Sequence, residues 1–192
     1  MWKGHYWPLC FAIAVLTAVP AFAQTSQITE DLPDFSLSLN GQTLKIDRSG
    51  AACPPRCVQP MMVAPGVGTV GELEVLEFLE IFVGDGQGLL VDARMPDVYA
   101  AATLPGAVNL PAQTLRADNP YRDDLLTALG VRNGDHAGAF DLMFFGAGAD
   151  DQDAPNALRS LLETGYPATK LKYYRGGMDN WRALGLTVAG KL

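Results

Sequence analysis

The sequence predicts an α/β fold in which a parallel sheet has helices on both faces and is preceded by a small N-terminal β-hairpin. Three short apolar runs, at residues 89–92, 142–145 and 172–174, have the length of buried strands. Helical segments separate these runs, and short buried strands that alternate with helices are typical of parallel sheets. Farther upstream, two alternating segments flank Asn40-Gly41, a favoured two-residue hairpin turn.

Residues 1–23 have the pattern of a secretory signal peptide. Lys3 gives a positively charged start, an apolar run follows at residues 9–19, and a cleavage site of small residues ends at Ala23. We expect the mature chain to begin at Gln24 and the protein to be periplasmic or secreted. The apolar run is too short to cross a membrane, and no later segment has the roughly 20 apolar residues that a span needs.

Residues 24–68 are expected to form an N-terminal extension. Residues 35–39 and 43–47 alternate apolar and polar side chains on either side of the turn, and this pattern predicts the two strands of the hairpin. Residues 53–68 are rich in proline and glycine. We therefore expect an ordered loop without regular secondary structure there.

The helices of the main domain are predicted from their caps and their periodicity. A capping box at residues 69–72 begins a helix that continues to about Val83. Leu73, Leu76 and Leu79 recur at helical spacing and form the expected buried face. Further helices are predicted at residues 96–102, 119–129, 155–164 and 178–184.

The net charge and the rare residue types exclude several kinds of function. The formal net charge is −7, and no cluster of lysine and arginine offsets it, which argues against nucleic acid and anionic membranes as partners. Only His136 of the two histidines lies beyond residue 23, so one chain cannot build a site from several histidines. Cys53 and Cys57, the cysteines outside the leader, are an even pair in an oxidising compartment.

Several motifs in the main domain resemble those of the rhodanese family. In chain order they are Asp92-Ala93-Arg94, Pro96-Asp97-Val98-Tyr99, Thr103-Leu104-Pro105-Gly106-Ala107, Gly165-Tyr166-Pro167 and Tyr174-Arg175-Gly176-Gly177. Thr103 stands where the family usually has a histidine. The resemblance implies one rhodanese-like domain at residues 69–188.

The resemblance also identifies a missing cysteine. An active member has a cysteine directly after the strand where this chain has Gly146, and some members with a longer loop have another where this chain has Asp151. The family's reaction holds a cysteine persulfide against backbone N–H groups, so the ordinary reaction is not expected here. The expected pocket loop consists of Gly146, Ala147, Gly148, Ala149, Asp150, Asp151, Gln152 and Asp153.

The carboxylates of Asp150, Asp151 and Asp153 give this loop a charge that would repel an anionic sulfur donor. One hypothesis is that Asp153 or Ala154 caps the following helix while the other two carboxylates are solvated. A second is that Asp151 folds into the cradle in place of a persulfide and closes it to sulfite and thiosulfate. A third is that the carboxylates bind a hard divalent cation such as Ca²⁺.

Cys53 and Cys57 allow three interpretations. A structural disulfide is the simplest, although so short a loop gains little from closure. In the second, Arg56 favours a thiolate, and the pair exchanges with partner disulfides or carries sulfur. In the third, the two thiolates and Met61 bind Cu(I), which makes copper a candidate cofactor.

The remaining site predictions concern the surroundings of the pocket. The extension is hypothesised to fold back so that Cys53 or Cys57 reaches the loop and supplies the missing sulfur. Asp92 and Arg94 are expected to support the pocket by hydrogen bonds to neighbouring loops. Arg175 is expected to pair with the loop aspartates rather than to bind a free anion.

Together these observations predict an exported rhodanese-like protein without ordinary thiosulfate sulfurtransferase activity. It would act as a binding or thiol-redox partner in sulfur metabolism, and its own partner would be a protein or a small sulfur compound. The alternatives are a sulfurtransferase with Cys53 or Cys57 as the sulfur carrier, and a Cu(I)-binding protein that uses Cys53, Cys57 and Met61.

Overall fold

The structure is a computed structural model that describes residue 1 and residues 25–190. The predicted leader and its cleavage before Gln24 therefore lie outside the described residues. Within the described part, no helix is both long enough and apolar enough to span a bilayer.

The extension contains four short strands, which are β1 (Thr25–Ser26), β2 (Phe35–Leu39), β3 (Gln42–Ile46) and β4 (Arg48–Ser49). Strands β2 and β3 form the predicted hairpin. Its turn residues Asn40 and Gly41 both have positive φ, as a tight two-residue turn requires. Strands β1 and β4 pair antiparallel beside it.

The main domain is built on a five-stranded parallel sheet. Its strands are β5 (Gly68–Val70), β6 (Gly88–Asp92), β7 (Val108–Asn109), β8 (Asp141–Phe145) and β9 (Leu171–Tyr174), in the spatial order β5-β9-β8-β6-β7. The three apolar runs predicted as strands are β6, β8 and β9. The edge strands β5 and β7 have only two or three residues, too few to show a periodicity in the sequence.

Five α-helices flank the sheet. They are α1 (Glu72–Phe78), α2 (Pro96–Ala101), α3 (Arg122–Ala128), α4 (Asp153–Glu163) and α5 (Gly177–Ala183). A π-helical turn, Leu79–Val83, continues α1, and two 3₁₀ turns occur at Ala112–Leu115 and Ala168–Lys170.

Strand β8 divides the core into two layers. Its side chains alternate, so Phe144 packs with Leu158 of α4 on one face, while Phe145 packs with Met178 of α5 on the other. All four side chains are fully buried. The predicted fold class, a parallel sheet with helices on both faces after a hairpin, is confirmed.

The predicted start and buried face of α1 are wrong. Gly71 is the N-cap, and the Glu74 carboxylate accepts the Gly71 N–H at 2.9 Å. Val75 and Phe78 are the buried side chains, whereas Leu73 and Leu76 are exposed. Residues 69–70, which the capping box assigned to the helix start, extend instead as part of β5.

Candidate functional site

The pocket loop, residues 146–153, lies at the carboxyl end of β8, in the middle of the sheet. This edge is where open parallel sheets bind ligands. The first turn of α5 closes one side of the loop, because the Met178 N–H donates to the Gly146 carbonyl at 3.2 Å and the Asp179 N–H to the Ala147 carbonyl at 2.8 Å. Gly177 permits this approach, since a Cβ there would lie 2.5 Å from the Gly146 carbonyl oxygen.

The Asp151 carboxylate lies inside the curve of this loop. The residue is only 8% exposed. Its Oδ2 accepts the Ala147 N–H at 2.5 Å, and its Oδ1 accepts the Asp153 N–H at 3.2 Å. A Cβ placed on Gly146 would overlap Oδ2. The carboxylate therefore fills the space that a side chain at position 146 would need, next to backbone donors at the start of α4.

The prediction that Asp153 or Ala154 caps α4 while the other carboxylates are solvated is wrong. Gln152 is the N-cap, and Asp153 is the first helical residue. The free N–H of Asp153 is instead satisfied by Asp151, which is buried. The geometry is that of the second hypothesis, in which Asp151 folds into the cradle.

Asp150 connects the loop to the extension. Its carboxylate accepts Arg48 Nη2 at 2.7 Å and Arg56 Nη2 at 2.5 Å, and all three side chains are partly buried. The Arg56 guanidinium also lies 3.8 Å from Asp179 at the start of α5. These ion pairs pack the extension against the pocket loop, while Cys53 and Cys57 are bonded to each other. That a cysteine supplies sulfur to the loop stays a prediction.

Gln59 completes this contact through its main chain. Its N–H donates to the Ala149 carbonyl at 2.8 Å, and its carbonyl accepts Arg175 Nη2 at 2.8 Å and Nε at 3.0 Å. The expected pairing of Arg175 with the loop aspartates is thus wrong. The arginines of the extension pair with Asp150, and Arg175 holds the extension backbone instead.

The cysteines are joined to each other. A disulfide links Cys53 and Cys57, with the two Cα atoms 4.6 Å apart, which confirms the predicted bond. Both residues are buried, and the Cys57 carbonyl accepts the Gln59 side-chain amide at 2.8 Å. The Met61 side chain is 63% exposed. Sulfur transfer or Cu(I) binding by this pair would first require reduction of the bond.

Asp92 and Arg94 form a buried pair at the end of β6. Arg94 Nε donates to Asp92 Oδ1 at 2.8 Å, and Arg94 Nη2 donates to Oδ2 at 2.5 Å and to the Ala102 carbonyl at 2.7 Å. Thr103 donates its hydroxyl to Asp92 Oδ2 at 2.8 Å. The pair therefore joins the end of β6 to the next turn, and its role as a support of the pocket stays a prediction.

A cleft of about 660 Å³ opens beside the loop, between the extension and the first turns of α1 and α5. Its lining includes Met61, Glu72, Asp150, Tyr174, Arg175 and Asp179. Within residues 25–190, no three His, Cys, Asp or Glu side chains converge in a way that could hold a metal ion. The Asp151 carboxylate instead accepts backbone N–H groups, and the Asp150 carboxylate is paired with two arginines.

The sequence did not indicate that Arg48 and Gln59 belong to this site. Arg48 lies 102 residues from Asp150, the aspartate that it contacts. The contact of Gln59 with Ala149 is between backbone atoms and so does not depend on the types of the two residues. The sequence predicts a role for Arg56 beside the cysteines and none beside the loop aspartates.

Burial, together with the smaller effect of the nearby Asp151 carboxylate, raises the pKa of Asp153 to about 6. A carboxyl that binds its proton more tightly in the folded state costs stability once it is ionised. The cost is absent below about pH 4 and is complete above about pH 6.

Asp153→Asn is therefore expected to raise the free energy of unfolding above pH 6 by on the order of 1 kcal/mol, a figure reduced for solvent screening. No gain is expected below about pH 4. Urea denaturation at the two pH values measures the difference. Asp123, exposed in the first turn of α3, is the matched control, and Asp123→Asn should give no such gain. An equal gain at both pH values would show that ionisation of Asp153 is not the cause of the destabilisation.

A family model for the rhodanese-like domain matches residues 75–184. The chain belongs to the rhodanese-like domain family. No curated protein gives a match to this rhodanese-like sequence.

Solved structures with this rhodanese-like fold share little sequence with the chain. A Bacillus halodurans protein is 17% identical, with a TM-score of 0.50 over 64% of this chain and 77% of its own. A thiosulfate sulfurtransferase from Pseudomonas aeruginosa is 18% identical, with a TM-score of 0.45 over 66% of this chain and 21% of its own. A rhodanese-like domain from Anabaena is 20% identical, with a TM-score of 0.43 over 67% of this chain and 81% of its own.

Proposed function

We propose that this rhodanese-like protein is exported, lacks ordinary thiosulfate sulfurtransferase activity, and acts as a binding or thiol-redox partner in sulfur metabolism. The observation that carries the proposal is the Asp151 carboxylate, which occupies the loop where a persulfide would be held and accepts the Ala147 N–H at 2.5 Å.

The chemistry of the loop supports the loss of the ordinary reaction. Sulfur transfer from thiosulfate needs a thiolate that attacks the outer sulfur, releases sulfite and keeps the sulfur as a persulfide. Gly146 has no side chain to attack with, and Asp151 already accepts the N–H groups that would hold the anion. A carboxylate cannot replace the thiolate, because it forms no stable bond to sulfane sulfur.

The redox part of the proposal rests on the extension. In disulfide exchange, a partner thiolate attacks one sulfur of Cys53–Cys57, forms a mixed disulfide and releases the other sulfur as a thiolate. A second partner thiolate then attacks the partner's own sulfur in the mixed disulfide, which closes a disulfide in the partner and leaves both cysteines reduced. Arg56 lies between the two cysteines in sequence, and its guanidinium would have to leave the ion pair with Asp150 to stabilise the released thiolate. Because both cysteines are buried, the partner must first open the extension loop.

Assays of sulfur transfer from thiosulfate to cyanide test the proposal. The chain is expected to give no turnover above background while the disulfide is intact. Redox exchange is measured separately by equilibration with glutathione buffers and trapping of free thiols, in which the Cys53→Ser/Cys57→Ser variant is the blank. Robust turnover by that variant would overturn the proposal, because no thiol would remain beyond the leader.

A second candidate is a sulfurtransferase with Cys53 or Cys57 as the sulfur carrier. The contacts of Arg56 with Asp150, and of Gln59 with Ala149, favour it because they hold the cysteine loop against the pocket loop. After mild reduction, incubation with thiosulfate would then add the mass of one sulfur, and each single Cys→Ser variant would show which cysteine carries it. Absence of that mass after full reduction removes this candidate.

Export is tested by the position of the mature N-terminus. When the full chain is expressed in a bacterium, N-terminal sequencing of the exported protein is expected to show that it begins at Gln24, as the small-residue cleavage site predicts. An unprocessed N-terminus in the cytoplasmic fraction would contradict export and leave the proposal for the pocket unchanged.

A further inference from the structure

The hairpin of β2 and β3 has one apolar face. Directly opposite residues of an antiparallel pair point to the same side, and the register places Phe35 opposite Ile46 and Leu37 opposite Leu44, with Leu39 at the turn. The other face carries polar side chains, which are those of Ser36, Ser38, Thr43 and Lys45. The hairpin is therefore amphipathic, which is typical of a hairpin that packs against another surface.

Nothing in the described part of the chain covers this face. All ten strand residues are exposed, with Leu39 at 56% and Ile46 at 49%, and neither core cluster includes them. A lone two-stranded hairpin is marginally stable in water. Five large apolar side chains on one exposed ribbon are thus a surface that a partner would stabilise.

We propose that this face, formed by Phe35, Leu37, Leu39, Leu44 and Ile46, joins two copies of the chain about a two-fold axis. Two such ribbons packed face to face make a small β-sandwich, with the aliphatic rows of one lying against those of the other. The one polar side chain on this face is that of Gln42, which lies opposite Leu39 at the turn end, and the face carries no charged side chain. A second copy therefore matches the apolar rows without any charged partner.

The exposed area agrees with a reversible dimer. The five side chains offer roughly 500 Å² per chain, or about 1,000 Å² in a symmetric pair, which is smaller than stable interfaces and about the minimum for a weak specific one. The surroundings favour a second copy over an anionic membrane. Lys45 is the only cation of the ribbon and is paired with Asp34 and Asp47, while the chain carries a net charge of −7.

Sedimentation velocity of the intact secreted chain tests the proposal. A monomer–dimer equilibrium in the micromolar range is expected, and Leu37→Lys should weaken it by about tenfold or more because it places a charge at the centre of the face. Ser38→Lys, the next residue on the opposite face, is the matched control and should leave the equilibrium unchanged. Circular dichroism and thermal unfolding confirm that both variants keep the folded domain.

Three results would overturn the proposal. They are a monomer at every concentration, a dimer that Leu37→Lys leaves intact, and sedimentation of the wild-type monomer with phosphatidylglycerol vesicles. None of these outcomes bears on the pocket loop, so the proposed function is tested separately.

Discussion

Replacing Arg94 with Ala is expected to lower the free energy of unfolding by about 3–5 kcal/mol. Asp92 is fully buried, and Arg94, which donates to both of its carboxylate oxygens, is 4% exposed. The variant would leave a buried carboxylate with the hydroxyl of Thr103 as its main remaining side-chain donor. The Ala102 carbonyl would also lose its partner, so the connection between β6 and the following turn would weaken.

The chain contains a matched control for this prediction. Arg116 and Asp118 are also an arginine–aspartate pair two residues apart, with Nε 3.2 Å from Oδ1, but their side chains are 65% and 71% exposed. Arg116→Ala should therefore change the free energy of unfolding by less than about 1 kcal/mol. Urea denaturation of both variants gives the comparison. Equal losses would show that burial does not determine the value of the Asp92–Arg94 pair.

Adding a methyl group at position 146 is expected to have the second largest effect. In Gly146→Ala the new Cβ overlaps Asp151 Oδ2, so the carboxylate must leave the loop. The Ala147 and Asp153 N–H groups then lose their charged acceptor, which should lower the free energy of unfolding by about 2 kcal/mol. Urea denaturation measures this loss.

A double-mutant cycle separates this cause from a general effect on the loop. Asp151→Gly removes the overlapping atoms, so Gly146→Ala should cost much less in that background, with a coupling of about 1–3 kcal/mol. Gly148→Ala is the control within the same loop. Its Cβ would meet the Asp179 carboxylate, whose side chain is 64% exposed and can turn into solvent, and it should cost less than about 1 kcal/mol. Additive effects at positions 146 and 151 would contradict the assignment.

The sequence predicts those strands and turns whose pattern of apolar and polar residues is local and several residues long. The buried strands β6, β8 and β9 each have an apolar run, and the hairpin has both its alternation and its Asn40-Gly41 turn. The start of α1 was misassigned because residues 69–70 have a capping spacing and yet pair with β9. Whether residues 69–70 form a strand or begin a helix depends on their pairing with β9, about 100 residues away. The local sequence gives no information about that pairing.

The candidate site was predictable in position but not in geometry. The motifs around Asp92 and Gly146 place the pocket at the end of β8, where it lies. The role of Asp151 was one of three open hypotheses, because the residue types do not reveal that the loop curves back onto the Ala147 N–H. The docking of Arg48 and Gln59 depends on how the extension folds over the domain.

Calorimetric titration with sulfite tests whether the Asp151 carboxylate closes the pocket loop to anions. The wild-type chain is expected to bind no sulfite at the pocket loop, whereas Asp151→Ala should bind it because the Ala147 and Asp153 N–H groups are then free to hold an anion. Binding by the wild type as tight as by the variant, or no binding by a folded Asp151→Ala variant, would contradict the account.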